Sequence, residues 1–249
     1  MNSYEFLAES YDQLTVDVRY REWADYLEKH FKKCALPIRT VLDLACGTGS
    51  LTTELSLRGY EMIGVDQSAE MLSVAVEKCR ELPVEPPIFL NQPMEKLDLY
   101  GTIDACVCCL DSVNYVTKPA ALRRAFSRVH LFLMPGGLFV FDIKPPWVLE
   151  GADGEMCLDE NENTYCVWRA EYSPRRRVLT YWMDIFRMLD DGNWERGEEV
   201  HEEYAYTLDE LELFLHEAGF IDIRRWGNLK LRAPYDNEDR VFFTARKEN

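Results

Sequence analysis

At Asp43-Leu44-Ala45-Cys46-Gly47-Thr48-Gly49 a β-rich run gives way to a helical one, and its residue types are those of a ligand cradle. Glycines at a strand-to-helix turn let the backbone approach a bound molecule and take positive φ, while the helix N-terminus offers unpaired N–H donors. A dinucleotide fingerprint starting at Gly47 needs a glycine at position 52, where the chain has Thr52, so NAD and FAD are disfavoured. The next apolar run ends Gly64-Val65-Asp66-Gln67-Ser68. This sets an acid about twenty residues past the loop, the spacing at which α/β folds hold ribose hydroxyls on a carboxylate. A carboxylate suits that task because it accepts from both vicinal hydroxyls. Asp66 can alternatively cap the following helix, although Ser68 is the better N-cap residue.

The elements that must position these residues alternate between short strands and amphipathic helices, the pattern of βαβ units around a parallel sheet. Strands are expected at Thr40–Ala45, Glu61–Asp66, Ile88–Asn91, Ile103–Leu110 and Gly137–Ile143, and helices at Leu51–Arg58, Ala69–Leu82 and Ala120–Met134. Met134-Pro135-Gly136-Gly137 reads as the turn that stops the last of these helices. From 144 to 207 the character changes. Thr164–Tyr172, Val178–Leu189 and Glu198–Tyr206 are rich in Tyr, Trp, Val and Thr and separated by turn signals, which predicts an antiparallel β lid inserted after the fifth strand. A helix at Leu208–Ala218 and strands near Phe220–Arg225 and Arg240–Arg246 then resume the α/β pattern. The reading is one α/β domain over residues 1–249, with a helical cover at 1–38.

With 28 basic against 44 acidic residues the chain carries −16, which argues against direct nucleic-acid binding and against anionic membrane surfaces. No secretory n-region or membrane-length apolar run is present, so a cytoplasmic location is expected. The eight cysteines show neither the paired C-x-x-C of a zinc site nor the density of a small secreted scaffold and read as reduced structural thiols, with Cys106 and Cys108 alternating on an apparent buried strand. No metal-ligand spacing occurs among the scattered histidines and carboxylates.

The D-x-A-x-G-x-G loop, with the acid at Asp66, closely resembles the first motifs of class I S-adenosylmethionine-dependent methyltransferases. Asp111-Ser112-Val113-Asn114-Tyr115 resembles the active-site mouth of uncharacterised bacterial small-molecule methyltransferases with a D-S-x-N-Y motif, which are similar in turn to sugar N,N-dimethyltransferases. The resemblance implies a Rossmann-like seven-stranded sheet and S-adenosyl-L-methionine as cofactor. It also implies cofactor contacts at Tyr11, Asp43, Ala45, Gly47, Gly49, Asp66, Gln67, Met71, Met94 and Cys109, and acceptor contacts at Asp111, Asn114 and Trp147. One departure stands out: Pro93 occupies the place of the acid that usually accepts from the adenine amino group, leaving the Met94 N–H for the ring nitrogen.

Methyl transfer from a sulfonium is an in-line displacement that rests mostly on positioning and desolvation, and a base helps only when the nucleophile arrives protonated. His201, beside Glu202 and Glu203 on the last lid strand, and Tyr115 are the candidates for that role; a solvent-facing strand histidine is the alternative for His201. His30, His130 and His216 sit in helical patterns with surface or packing roles. Asp111 and Asn114 serve equally well as turn and capping residues. Asp142-Ile143-Lys144-Pro145-Pro146-Trp147 reads as a rigid exit into the lid, and Arg175-Arg176-Arg177 as a solvated turn.

The expected function is methyl transfer to a small molecule, an amine nitrogen being one reading, by a monomer or homodimer. A non-catalytic sensor of the cofactor, or an RNA methyltransferase with a basic partner, are the alternatives. Between Glu150 and Glu203 the lid holds 15 acidic and 6 basic residues, −9 of the total, together with Trp168, Trp182, Trp194, Tyr165, Tyr172 and Tyr181. Carboxylates with aromatics suit a cationic acceptor; a solvated outer sheet face is the plainer account.

Overall fold

The computed structural model describes residues 6–8, 10–161, 163–189 and 191–249, so the first residues of the expected N-terminal cover lie outside it. Two helices, α1 (Tyr11–Leu14) and α2 (Tyr20–Phe31), precede a parallel core of β1 (Thr40–Leu44), α3 (Ser50–Leu57), β2 (Glu61–Asp66), α4 (Ala69–Cys79), β3 (Ile88–Asn91), β4 (Ile103–Cys108), α5 (Pro119–Phe132) and β5 (Leu133–Ile143). After α6 (Pro146–Gly151) come β6 (Met156–Glu160), β7 (Thr164–Ser173), β8 (Val178–Met188) and β9 (Trp194–Tyr204). The chain then adds α7 (Leu208–Glu217), β10 (Ile221–Trp226) and β11 (Val241–Arg246).

The large sheet runs β10-β11-β5-β4-β1-β2-β3, parallel except that β11 is antiparallel to both neighbours. Its central strands are largely apolar because helices cover both faces: Val41, Leu42 and Leu44 of β1, and Ala105, Cys106, Val107 and Cys108 of β4, are all buried. The chain steps outward from β1 to β3 and then returns to β4 on the other side of β1. Between β1 and β4 the loops therefore part at the C-terminal ends of the strands, which is where open α/β sheets hold ligands.

The second sheet is fully antiparallel, in the order β6-β7-β8-β9. It has one strand more than the sequence suggested. All five residues of β6 are exposed, so no burial alternation marked it. β9 likewise begins at Trp194, four residues before the expected start. β4 ends at Cys108 because Leu110 and Asp111 take φ of +60° and +52° and turn the chain out of the ladder. The expected Pro-Gly-Gly turn lies inside β5 instead: α5 passes directly into the strand at Leu133, and Gly136, at φ +77°, sits where the pairing with β4 jumps from Leu133 to Leu138. Among the described residues no helix is long and apolar enough to cross a membrane.

Candidate active site

The loop after β1 turns on three residues with positive φ, Ala45 at +62°, Gly47 at +54° and Gly49 at +72°. Gly49 is the N-cap of α3, and a Cβ there would stand 3.0 Å from Ala75, so glycine serves both the turn and the close packing on α4. Asp66 ties the loop to β2 by accepting from Gly47 N and from Ser68 N, both at 2.9 Å. Capping of α4 falls to Ser68, whose hydroxyl accepts from Met71 N. Burial raises the Asp66 carboxyl above its usual range against the pull of these backbone donors.

Position 52 explains itself in the same geometry. The Thr52 hydroxyl donates to Asp43 Oδ2 at 2.6 Å, giving the buried carboxyl a partner that glycine could not supply. Burial nevertheless lifts Asp43 to about 7.

These groups line a cavity of about 370 Å³ at the C-terminal ends of β1, β2 and β4, a size within the range of small-molecule sites. Of the residues expected at a cofactor, Tyr11, Asp43, Ala45, Gly47 and Asp66 line it, as do Gln67, Met71, Met94 and Cys109. Gly49 does not; its part is to shape the loop. Tyr115 lines it too, beside Leu110 and Ser112 of the segment that follows β4. Sequence reasoning missed Glu95. It stands on the cavity wall in the 3-10 turn Met94–Lys96, two positions beyond Pro93, and supplies an acid where the motif appeared to lack one. The available signal was the acid that follows Pro93-Met94 in the sequence.

Four other expected residues lie elsewhere. His201 is buried behind the wall: its ring meets the Tyr115 ring edge-on at 5.9 Å, and its Nε2 lies 2.6 Å from Glu199 Oε2. Asn114 is a joint, donating to the Lys144 and Tyr204 carbonyls and accepting from Lys144 N. Trp147, on α6, points its indole N–H at the Glu238 carbonyl. Asp111 is consumed by two cations, with Lys144 Nζ at 3.0 Å and Arg240 Nη2 at 2.7 Å. Burial alone would raise its pKa, but these neighbours hold it at about 2.

Behind Asp111 the ion pairs continue. Arg240 also pairs with the fully buried Asp142, whose carboxylate accepts from Leu110 N and Asp111 N and so fixes the strained turn after β4. Lys144 reaches Glu203 Oε1 at 3.0 Å. The other oxygen, Oε2, is buried without a hydrogen-bond partner among the described residues, and burial lifts Glu203 to about 7 against the opposing pull of Lys144.

The aromatics of the second sheet divide between its faces. Trp168, Tyr172 and Tyr181 pack with Leu149 and Leu179 on the inner face, whereas Tyr165, Trp182 and Trp194 are 39%, 37% and 45% exposed. Of the acidic residues on β9, Glu199 and Glu203 are the buried ones; most of the sheet's negative charge is solvated.

Strand order, glycine loop and an acid at the end of β2 together define a class I S-adenosylmethionine-dependent methyltransferase, and the chain belongs to that family. Residues 41–137 match the family model described as a methyltransferase domain. YqeM of Bacillus subtilis (strain 168), named as a methyltransferase with no stated substrate, is 30% identical over 247 residues, covering 98% of this chain and 97% of its own length. The crystal structure of an S-adenosylmethionine-dependent methyltransferase from Clostridium acetobutylicum ATCC 824 has a TM-score of 0.86 at 27% identity, with both chains covered in full. A glycine/sarcosine N-methyltransferase from Halorhodospira halochloris is 25% identical over 247 residues, covering 95% of this chain and 85% of the relative.

The cavity's donor set fits S-adenosyl-L-methionine. Asp66 offers a half-buried carboxylate for vicinal hydroxyls, Glu95 with the Met94 backbone an acceptor and donor for the base, and the Tyr11 ring a π face for a sulfonium.

Proposed function

We propose that this methyltransferase acts on the amine nitrogen of a small-molecule acceptor. The observation that carries the reading is the charge balance behind the acceptor end, where Asp111, Asp142 and Glu203 face Lys144 and Arg240. Three carboxylates against two cations leave a surplus negative charge when all are ionised, and Glu203 Oε2 has no hydrogen-bond partner among the described residues. S-adenosylmethionine supplies, when bound, a methyl group on a positively charged sulfur. An ammonium has no lone pair to attack it, so the acceptor must first lose a proton. Glu203 does not line the cavity, so its charge acts at a distance, favouring an ammonium at the mouth, which gives up its proton to bulk water before attack. Cys109, Leu110 and Tyr115 wall that end of the cavity, limit water and fix the approach of the nucleophile. The nitrogen specificity in the name of the Halorhodospira halochloris relative supports the same reading.

The test is to incubate the purified protein and S-adenosylmethionine with glycine, sarcosine, aminosugars and a metabolite extract, and to follow acceptor masses. Gain of one or two methyl groups on amines is the expected result. Methylation confined to hydroxyl or carboxylate acceptors would end the amine reading.

A further inference from the structure

Alternate residues of β9, Glu199, His201 and Glu203, are buried on the inner face of the second sheet. Glu199 divides its two oxygens between different parts of the molecule. Oε2 contacts His201 Nε2 at 2.6 Å, while Oε1 accepts from Phe6 N and Leu7 N, both at 2.8 Å. A carboxylate accepts, so the proton of this contact is carried by Nε2. The far side of the imidazole meets the edge of Tyr115, a wall of the cavity. A continuous set of contacts therefore runs from the Leu7 amide to the cavity.

The segment that supplies these amides is seated by a missing side chain. A Cβ at Gly197 would lie 2.3 Å from the Phe6 ring, and Leu7 is buried with Cys166 and Ile185. Its other end reaches the glycine loop, where Asp12 accepts from Thr48 and Ser50 and pairs with Lys78, and Tyr11 lines the cavity.

We propose that Glu199 is a positioning residue that makes docking of the N-terminal segment and placement of His201 against Tyr115 a single event. The cavity then gains its Tyr115 wall only when Tyr11 has closed over it. The inference rests on this cavity being the S-adenosylmethionine site and is independent of the acceptor.

Two substitutions separate the halves of the device. Gly197→Ala expels the Phe6 ring, and with it the amides that Glu199 holds, while the Glu199, His201 and Tyr115 side chains themselves are unaltered. Glu199→Gln keeps a carbonyl oxygen for the two amides but puts a donor where Nε2–H needs an acceptor. The readouts are the ring-nitrogen NMR signals of His201, hydrogen exchange of the Leu7 amide, and binding of S-adenosylhomocysteine. In Gly197→Ala, Leu7 exchange should accelerate by roughly tenfold or more, the His201 signals should move, and S-adenosylhomocysteine should dissociate faster. In Glu199→Gln, Leu7 should stay protected while His201 changes tautomer and affinity falls roughly tenfold.

The proposal is overturned if Gly197→Ala frees Leu7 while His201 and the dissociation rate keep their wild-type values. An unchanged His201 spectrum and affinity in Glu199→Gln overturn it equally, and decide the matter if Gly197→Ala leaves Leu7 protected. Failure of the wild type to bind S-adenosylhomocysteine would remove the cofactor assignment instead, while the Leu7 and His201 readouts would still report coupling in the ligand-free protein.

Discussion

Replacing Asp66 by alanine should separate what this residue does for the loop from what it does for the cofactor. In the protein alone, the substitution deprives Gly47 N and Ser68 N of their acceptor. Both groups are partly buried, so the loss is about 1 kcal/mol each, or about 2 kcal/mol together. For a chain of this length that lowers Tm by about 4–8 °C. With cofactor bound, two ribose hydroxyls also lose a charged acceptor, at about 1.5 kcal/mol or more apiece. A loss of about 3 kcal/mol corresponds to an affinity drop on the order of a hundredfold. Isothermal titration with S-adenosylhomocysteine is the suitable assay, because the product's neutral thioether removes any direct attraction between sulfonium and carboxylate. Asp66→Asn, which keeps one carbonyl oxygen, should fall between wild type and alanine. The reasoning fails if Asp66→Ala is folded, shows the expected Tm decrease and still binds within about twofold of wild type; Asp66 would then be a loop brace only.

Asp43 gives a pH signature. Its pKa is raised from an ordinary 3.8 to about 7, so between these values the native state binds a proton that the unfolded chain has released, and stability falls as pH rises through that window. Urea titrations of ligand-free protein across the window should show that slope, and Asp43→Asn should flatten it in part, because Glu203, also lifted to about 7, contributes in the same direction. Arg240→Ala leaves Asp111 and Asp142 buried against each other without their shared cation, which should cost about 3 kcal/mol and lower Tm by roughly 10 °C in calorimetry. Glu95→Gln should reduce S-adenosylhomocysteine affinity by up to about tenfold and narrow the preference over the analogue with a 6-oxo base, measured by competition; an unchanged preference would remove Glu95 from adenine recognition.

The loop and Asp66 were legible because everything they need is local: a strand end, glycines, and an acid one βα unit later. The same holds for the change from parallel to antiparallel structure after β5, which composition marks. What escaped were pairings across large sequence separations and strands without alternation. β6 is exposed throughout and therefore gives no pattern. Asp111 looks like a turn residue or an acceptor ligand until Arg240, far along the chain, is brought against it. His201 was singled out on its strand, but only the packing of the second sheet puts Tyr115 in front of it and Glu199 behind it. Glu199 carried one signal that could have been used, the alternation of charged and imidazole side chains at 199, 201 and 203, which requires all three to share a face.

The antiparallel placement of β11 beside β5 also sets an order of assembly during synthesis. Asp111 and Asp142 leave the ribosome long before Arg240, which joins them only when the last strand enters the sheet. Until then Asp111 has Lys144 against it but Asp142 has no cation, in a site that is buried. A chain lacking β11 therefore lacks the cation of Asp142, whose carboxylate holds the turn that walls one end of the cavity, so the last strand to be made helps fix the shape of a site built by the first.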